Sequence, residues 1–497
     1  MKRIPIYLAA LAAAFLCGCS AVRHCKSPEL NLPETLSPDQ TDSTTVADVA
    51  WWRFYGDAAL CDLIERTLAA NKDMLAAAAR VERMRQLYRI DKASRLPVFS
   101  ASVYANRETN DYYEKPFSND PEMGAKASVS WELDLWGNLR WAKRRGGAEY
   151  LASVEDWRAM RMTLVAEVAT AYFELMALDN ELAIVRRKLE TRREDVHQAK
   201  LRFEGGLTAE TVYQQAQVEY ATTAARIPDL ERRIRMMENS ISLLAGGYPG
   251  GEVRRSGLAL NIPMPDSLPV GLPSGLLQRR PDVRSSEQQL RAAMAEAGMA
   301  YADRFPRLTF TLTGGVENSE LTGFFRSPFS YVAGAIAAPV FGFGRKQAKY
   351  RAALAAYDEA RLAYEKKVLE VFKETDDAIV TYRNVRRTAE LNVTLRDAAS
   401  KYVKLANIQY RGGNINYIDV LDAQRRYLDA QIGLSNAVRD EHLALVQLYK
   451  ALGGGWTMPD GGRKGARACA GEFSAADLRV RGGFFRILAS SIPTETL

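Results

Sequence analysis

Four short stretches of this chain alternate apolar and polar side chains, and two very long ones repeat apolar residues at steps of three and four. Phe99, Ala101, Val103 and Ala105 alternate with Ser100, Ser102, Tyr104 and Asn106. Ala127, Val129, Trp131, Leu133 and Leu135 alternate with Ser128, Ser130, Glu132 and Asp134. Leu308, Phe310 and Leu312 alternate with Thr309, Thr311 and Thr313, and a blander, Ala-rich stretch runs from Tyr331 to Phe341. Period two marks strands with two chemically different faces. Each stretch is about ten residues, near the length of a tilted transmembrane strand. A soluble antiparallel sheet with one wet face would carry the same pattern.

The long stretches decide between the two. Leu164, Val168, Ala171, Leu175, Leu178, Leu182, Val185 and Leu189 step by four and three without a slip, and Val196 and Phe203 continue the seam. A second seam runs through Val368, Phe372, Thr375, Ile379 and Tyr382, then Leu391, Leu395, Ala398, Tyr402 and Leu405. A sustained seven-residue period specifies a coiled coil. Helices over 142–203 and 346–410, interrupted by no Pro and only by Gly146-Gly147, would be roughly 90–100 Å long at 1.5 Å per residue. Such helices project as a tube; a compact domain cannot hold them. Each ends at a diglycine, Gly205-Gly206 or Gly412-Gly413, where a residue at positive φ closes a helix. Return helices follow over 208–244, which Pro228 should kink, and over 415–452. Shorter helices, 58–94 and 274–303, lead into the strands.

The chain thus runs through one order of elements twice, at an offset of roughly 205 residues, and such self-similarity takes precedence over local motifs. Leu96-Pro97-Val98-Phe99 aligns with Phe305-Pro306-Arg307-Leu308. The corner Leu135-Trp136-Gly137-Asn138-Leu139-Arg140 aligns with Val340-Phe341-Gly342-Phe343-Gly344-Arg345, and Phe203-Glu204-Gly205-Gly206 with Tyr410-Arg411-Gly412-Gly413. The fold class expected is an α+β membrane protein of two tandem repeats, 57–254 and 266–456, each giving two transmembrane strands and long coiled-coil helices.

The N-terminus supplies an address. Lys2 and Arg3 precede an apolar run from Tyr7 to Leu16, the layout of a secretory signal over 1–18. Leu16-Cys17-Gly18-Cys19 resembles a bacterial lipobox, so Cys19 is the expected lipid attachment, with Ser20 and not Asp behind it and a lipidated extended segment over 19–56. An ordinary secretory signal with two incidental cysteines is the alternative. Of five cysteines the others are Cys25, Cys61 and Cys469, with no paired spacing. The formal charge is +7, from 67 Lys and Arg against 60 Asp and Glu. The two signs are interspersed along the helices, as on solvated faces, not gathered into a nucleic-acid footprint. No apolar run reaches the ~18 residues of a spanning helix.

Four strands cannot close a barrel, and an open edge is not tolerated in lipid. Other copies must complete the sheet: two give eight strands, three give twelve. The bore needed by a tube that passes solutes favours three.

At this point the wording resembles the TolC-type outer-membrane efflux channels, lipoprotein branch, over Cys19 to Trp456. The resemblance rests on Trp51-Trp52-Arg53-Phe54-Tyr55-Gly56-Asp57, Leu277-Gln278-Arg279-Arg280-Pro281-Asp282-Val283-Arg284, Val420-Leu421-Asp422-Ala423-Gln424-Arg425 and Leu448-Tyr449-Lys450-Ala451-Leu452-Gly453-Gly454-Gly455-Trp456. It implies a homotrimer with a twelve-strand barrel in the outer membrane and an α-helical tunnel in the periplasm. The partners it implies are a periplasmic adaptor and an inner-membrane pump, often of resistance-nodulation-division type. No chemistry, cofactor or metal is implied. The positions matching the family's periplasmic gate are Ile418, Asp422 and Arg425. Asp422 and Arg425 also fit a plain i,i+3 surface pair. The first repeat has Gln215 where the second has Asp422. Gly205, Gly206, Gly412 and Gly413 are the expected adaptor-docking tips, although plain turn chemistry also explains them.

Loops over 107–124 and 317–330 should face outside, with Tyr112, Tyr113, Phe117, Phe324 and Phe325 as an aromatic belt or an outer constriction. Enzyme readings find little support. His24, His197 and His442 are far apart, Gly342-Phe343-Gly344 lacks the third glycine of a dinucleotide site, and Asp376-Asp377 sits on a solvated helix face. Two alternatives to efflux remain: a type I protein-secretion conduit, and a coiled-coil lipoprotein scaffold with no pore. The tail over 457–497 is rich in Gly, Arg and Ala; disorder is expected to Ala475 and a weak amphipathic element over 478–492.

Overall fold

The structure is a computed structural model that describes residues 25, 28, 30, 32–33, 35, 45–110, 113, 118–258, 269–337 and 342–456. The expected signal segment 1–18, Cys19, Tyr112, Phe117, Val340, Phe341 and the tail with Cys469 lie outside the described residues. In chain order the helices and strands are α1 (Trp51–Phe54), α2 (Ala58–Ala70), α3 (Lys72–Ala93), β1 (Val98–Asn110), β2 (Ser118–Leu133), α4 (Asn138–Glu204) and α5 (Glu210–Leu244). There follow α6 (Pro273–Arg279), α7 (Pro281–Ala302), β3 (Arg307–Asn318), β4 (Pro328–Ala337), α8 (Arg345–Arg411) and α9 (Tyr417–Ala451).

Both shorter helices expected from the sequence are in fact broken in two. Asn71 ends α2 in an extended conformation, and its side-chain oxygen accepts from Asp73 N at 2.9 Å and Met74 N at 3.0 Å, starting α3 afresh. Its amide donates to Leu244 O at 2.9 Å, at the end of α5. The second break falls at Arg280-Pro281, where proline takes the first position of α7 and the residue before it is extended.

The long helices keep a common register. Asn138 and Arg345 start them, Glu204 and Arg411 end them, and Glu210 and Tyr417 start the returns, each pair 207 apart (345 − 138, 411 − 204, 417 − 210). The pairs α4/α8 and α5/α9 have 67 and 35 residues. This corrects the corner alignment by two residues. Gly137 and Gly344, at φ 80° and 79°, each stand just before a long helix, so Gly344 is the counterpart of Gly137. Gly146-Gly147 does not interrupt α4. A Cβ on Gly146 would lie 2.1 Å from Asp91 Oδ2, so the pair lets α3 approach closely. The α5 helix runs unbroken through Pro228.

The chain forms two compact units. One holds the described residues of 1–34, 75–160 and 273–373, the other those of 35–74, 161–272 and 374–497. The first unit contains an antiparallel sheet in the order β1-β2-β3-β4. Ion pairs fasten its helices: Arg280 donates to both oxygens of Asp282, which Lys367 reaches at 3.0 Å, and these cations hold the Asp282 carboxyl down at about 2 against the effect of burial. The second unit is a helix bundle. The first seam is buried there through Leu164, Val168, Leu175, Leu178 and Val185. The second seam changes character. Val368 in the first unit and Ile379 and Tyr382 in the second are buried, but Leu391, Leu395, Tyr402 and Leu405 are 43–63% exposed, and the inward line is Ala389, Ala399 and Ala406.

Candidate functional site

The sheet is two-faced. The register pairs Ala101 with Ala127, Val129 with Leu312, and Leu312 with Val332, so these side chains share one face. That face is apolar and uncovered: Phe99 is 78%, Val103 82% and Ile336 74% exposed. The opposite face is a hydroxyl surface. Ser100 Oγ and Ser128 Oγ lie 2.7 Å apart, and Ser130 Oγ and Thr311 Oγ1 3.3 Å apart. Further along it, Tyr104 lies flat over Gly124, where a Cβ would come within 2.6 Å of the ring. Its hydroxyl donates to Glu122 Oε1 at 3.1 Å and Glu317 Oε2 at 2.9 Å. Apolar on one side and polar on the other is the pattern of a membrane barrel wall. Trp136 and Trp131 stand where the strands meet the helices, donating to Pro306 O and Arg95 O.

The strands outrun the alternating stretches. Pairing continues through Arg107↔Pro121 to Asn110↔Ser118, so the expected 107–124 loop is mostly ladder and only 111–117 connects it. Polar residues on both faces hide such a continuation from periodicity. Pro121 is tolerated because β3 pairs β2 only from Met123 onward, leaving one side of Pro121 free. The other loop holds a 3-10 turn, Leu321–Arg326, with the Phe324 and Phe325 rings edge-on at 5.1 Å.

At the far ends of the long helices both diglycine turns are Schellman motifs. Leu207 N donates to Arg202 O and Gly206 N to Phe203 O; Asn414 N donates to Gln409 O and Gly413 N to Tyr410 O. Only the second glycine of each pair is at positive φ, 71° at Gly206 and 75° at Gly413, and open space surrounds both. Gly205 and Gly412 are free of that demand. Arg202 Nη1 donates to Tyr410 OH at 3.3 Å, joining the two tips. The tips differ beyond them: α9 starts with a capping box, Asn416 with Asp419, whereas Ala209 leaves α5 without a side-chain cap.

Ile418 is 52% exposed on the first turn of α9. Asp422 accepts from Arg426 Nε at 2.8 Å, one turn on, and not from Arg425. Arg425 turns the other way, its Nε 3.6 Å from Glu219 Oε1 on α5. Sequence spacing alone missed both Arg426 and Glu219. Next to them Gln424 is buried and accepts from Lys188 Nζ at 2.9 Å.

The remaining motifs position this bundle. Asp57 caps α2 through Ala59 N and Leu60 N, and its other oxygen accepts from Tyr172 OH at 2.9 Å. Phe54 stacks on Tyr449 at 4.3 Å, and Tyr449 OH donates to Val49 O at 2.6 Å. The N-terminal aromatic motif and the C-terminal Leu448–Trp456 motif therefore meet each other, and beside them Val49 and Tyr449 bond across 400 residues of sequence. His442 stacks on Phe173 at 4.5 Å and is held neutral by burial, pushed down to about 4.

The chain matches the family described as Outer membrane efflux protein at residues 63–247 and 272–454. It is 32% identical over 412 residues to the solvent efflux pump outer membrane protein SrpC of Pseudomonas putida, covering 82% of this chain and 87% of that protein. Outer membrane protein OprJ of Pseudomonas aeruginosa is 30% identical over 472 residues, 92% of this chain and 97% of that one. Among solved structures, the open-state MtrE outer membrane channel of Neisseria gonorrhoeae superposes with a TM-score of 0.76 at 27% identity, covering 88% of this chain and 99% of that chain.

Proposed function

The chain belongs to the outer membrane efflux protein family and is an outer-membrane efflux channel, and from that premise we propose that it works as a lipid-anchored homotrimer. Three four-stranded sheets would close a twelve-strand barrel, and the paired long helices would form a periplasmic tunnel. The chain would comprise two repeats, 57–254 and 266–456, anchored through Cys19. A periplasmic adaptor and an inner-membrane pump of resistance-nodulation-division type would feed it, and small toxic molecules are the cargo that SrpC's name favours. The channel itself performs no reaction.

One observation carries this reading: the sheet has an exposed apolar face, a hydroxyl-lined opposite face, and outer edges at β1 and β4 that pair with no other described strand. In water such a sheet exposes a large apolar patch. In a bilayer, closed by neighbouring copies, the apolar face meets lipid and the hydroxyl face lines a pore.

The gate assignment rests on Ile418, Asp422 and Arg425 at the start of α9. Three copies of Asp422 around an axis would repel unless bridged, and Arg426 supplies the bridging charge within each protomer. Purified protein in planar bilayers, with its mass measured in parallel, tests the channel. A trimer with discrete conductance steps is expected, and Asp422→Ala should raise the closed-state conductance. A monomer, or a trimer silent with and without that substitution, would sink the reading.

Docking of the adaptor is assigned to the Gly205-Gly206 and Gly412-Gly413 turns. Gly206→Val should keep the trimer and abolish efflux from cells. Efflux at wild-type level with this substitution would put docking elsewhere.

A further inference from the structure

The positive charge of this chain is concentrated where its strands meet its helices. The fourteen residues on the helical side of each strand, 84–97, 134–147, 293–306 and 338–351, hold thirteen Lys and Arg against four Asp and Glu. That is a net of +9, whereas the whole chain is +7, so everything else sums to −2. The interspersion of signs read along the helices therefore fails at these four ends.

All four stretches belong to the first unit, and side chains join them into one band. Trp131 Nε1 donates to Arg95 O at 3.1 Å, Asn138 Nδ2 to Met299 O at 3.2 Å, and the Trp136 ring stacks on Phe305 at 4.7 Å. Arg304 lies over the rings of Tyr301 and Tyr350, 5.4 and 5.5 Å from their centroids, which ties the end of α7 to the start of α8. Asp303 gathers Lys346 at 2.6 Å, Arg307 at 3.2 Å and Lys349 at 3.3 Å, three cations on one carboxylate. Lys92, Arg95, Arg345 and Arg351 are exposed and, like the half-buried Lys143, make no ion pair among the described residues.

Apolar side chains stand exposed among these cations: Leu96, Leu135, Trp136 and Phe343. Phe343, in the turn before α8, is 90% exposed at a φ of 48°, a left-handed conformation that bulky residues rarely adopt. Phe99 and Val103 of the apolar sheet face follow directly. Unpaired cations interleaved with exposed rings, beside an apolar face, match the boundary between hydrocarbon and headgroup. An acidic protein surface would meet the cations and leave the apolar side chains wet. A zwitterionic headgroup would cover those side chains and leave the +9 unbalanced. Phosphodiester monoanions on a bilayer answer both demands.

We propose that this band binds the headgroups of anionic phospholipids, in the leaflet on the helical side of the sheet, through the unpaired cations of α4, α8 and the end of α3. The step from an anion to a lipid rests on the reading of the sheet as a barrel wall.

The test uses the full-length protein in detergent micelles doped with either phosphatidylglycerol or phosphatidylcholine. Lipid retained through gel filtration is counted by native mass spectrometry. Retention of phosphatidylglycerol is expected to exceed that of phosphatidylcholine several-fold, and to fall as salt rises from roughly 0.05 to 0.5 M. Lys143→Gln, Arg345→Gln and Arg351→Gln together should remove at least half of that excess. Arg186→Gln, Arg193→Gln and Arg232→Gln, on exposed helix faces of the second unit, should leave it unchanged. Should the first variant not fold, Lys92→Gln with Arg95→Gln should remove a smaller share. Equal retention of the two lipids, or an excess untouched by the band variants, would overturn the proposal. Flotation of the same protein with phosphatidylcholine vesicles reads the channel separately. Protein that floats without the excess sinks the band alone; protein with the excess that never enters vesicles counts against the channel and not against the band.

Discussion

Asn71 acts at one point on three helices: it ends α2, caps α3 and holds the end of α5 through Leu244 O. Beside it Gly246, at φ 73°, brings the α5 cap so close that a Cβ would stand 2.4 Å from Ala70 O. Asn71→Ala removes a cap and leaves the part-buried Leu244 carbonyl without its partner, so it should lower stability by about 2 kcal/mol, read from a denaturant midpoint. A midpoint equal to wild type would mean the two helices do not depend on this joint. The break at Arg280-Pro281 is legible in the sequence as a proline rule, which overrides the single helix expected over 274–303. The break at Asn71 is marked only by a residue that favours caps, and its partner lies 173 positions away. The same distance problem explains Arg425: an i,i+3 spacing points it at Asp422, and Glu219, across the bundle, is invisible to spacing.

At the scale of elements, alternation located β1, β2 and β3 because each has one apolar and one polar side, whereas β4 is Ala-rich and carries only a weak pattern. It fell short at their outer ends, where Arg107–Asn110 faces Ser118–Pro121 and both sides are polar. The two faces predict opposite outcomes for neighbouring substitutions. Val103→Lys puts a charge on the exposed apolar face and should cost about 2–4 kcal/mol near the bilayer midplane, seen as a collapse of assembled protein in outer-membrane fractions. Ser102→Lys, one residue away on the hydroxyl face, should assemble normally and change only the pore's ion preference. Equal yields from both would mean that the face assignment is wrong. For the helices, the seven-residue period marks the buried stripe on α4 through Val185, but Phe203 at its expected end is exposed. On α8 it marked a stripe without saying what it packs against, and past Tyr382 the large side chains are exposed while Ala389, Ala399 and Ala406 are buried. Periodicity records that a surface is apolar; the identity of the covering surface is not part of the pattern.

Across the whole molecule, His442 and Asp282 are two of the groups that contribute to the acid limit. His442 is pushed from 6.5 down to about 4, so the unfolded chain binds a proton that the folded one refuses. Stability from this group is complete above pH 6.5 and is lost as pH falls toward 4, on the order of 3 kcal/mol. Asp282, held at about 2 by Arg280 and Lys367, stabilises above its unfolded value of 3.8 and loses about 2 kcal/mol as pH falls toward 2. Thermal midpoints from pH 7 to 4 should therefore decline, and His442→Phe, which keeps the stack on Phe173, should flatten the 6.5-to-4 part of the curve. An unflattened curve would assign that decline to other groups. The exposed stripe Leu391, Leu395, Tyr402, Leu405 and Ile408 on α8 has a consequence for biogenesis. In the trimer proposed above, a newly folded single chain would carry that ridge uncovered, and its survival would depend on how soon it met its siblings. Supply would then govern yield more steeply than in proportion: halving synthesis would reduce encounters by more than half, and the stranded copies would become substrates for proteases or escorts.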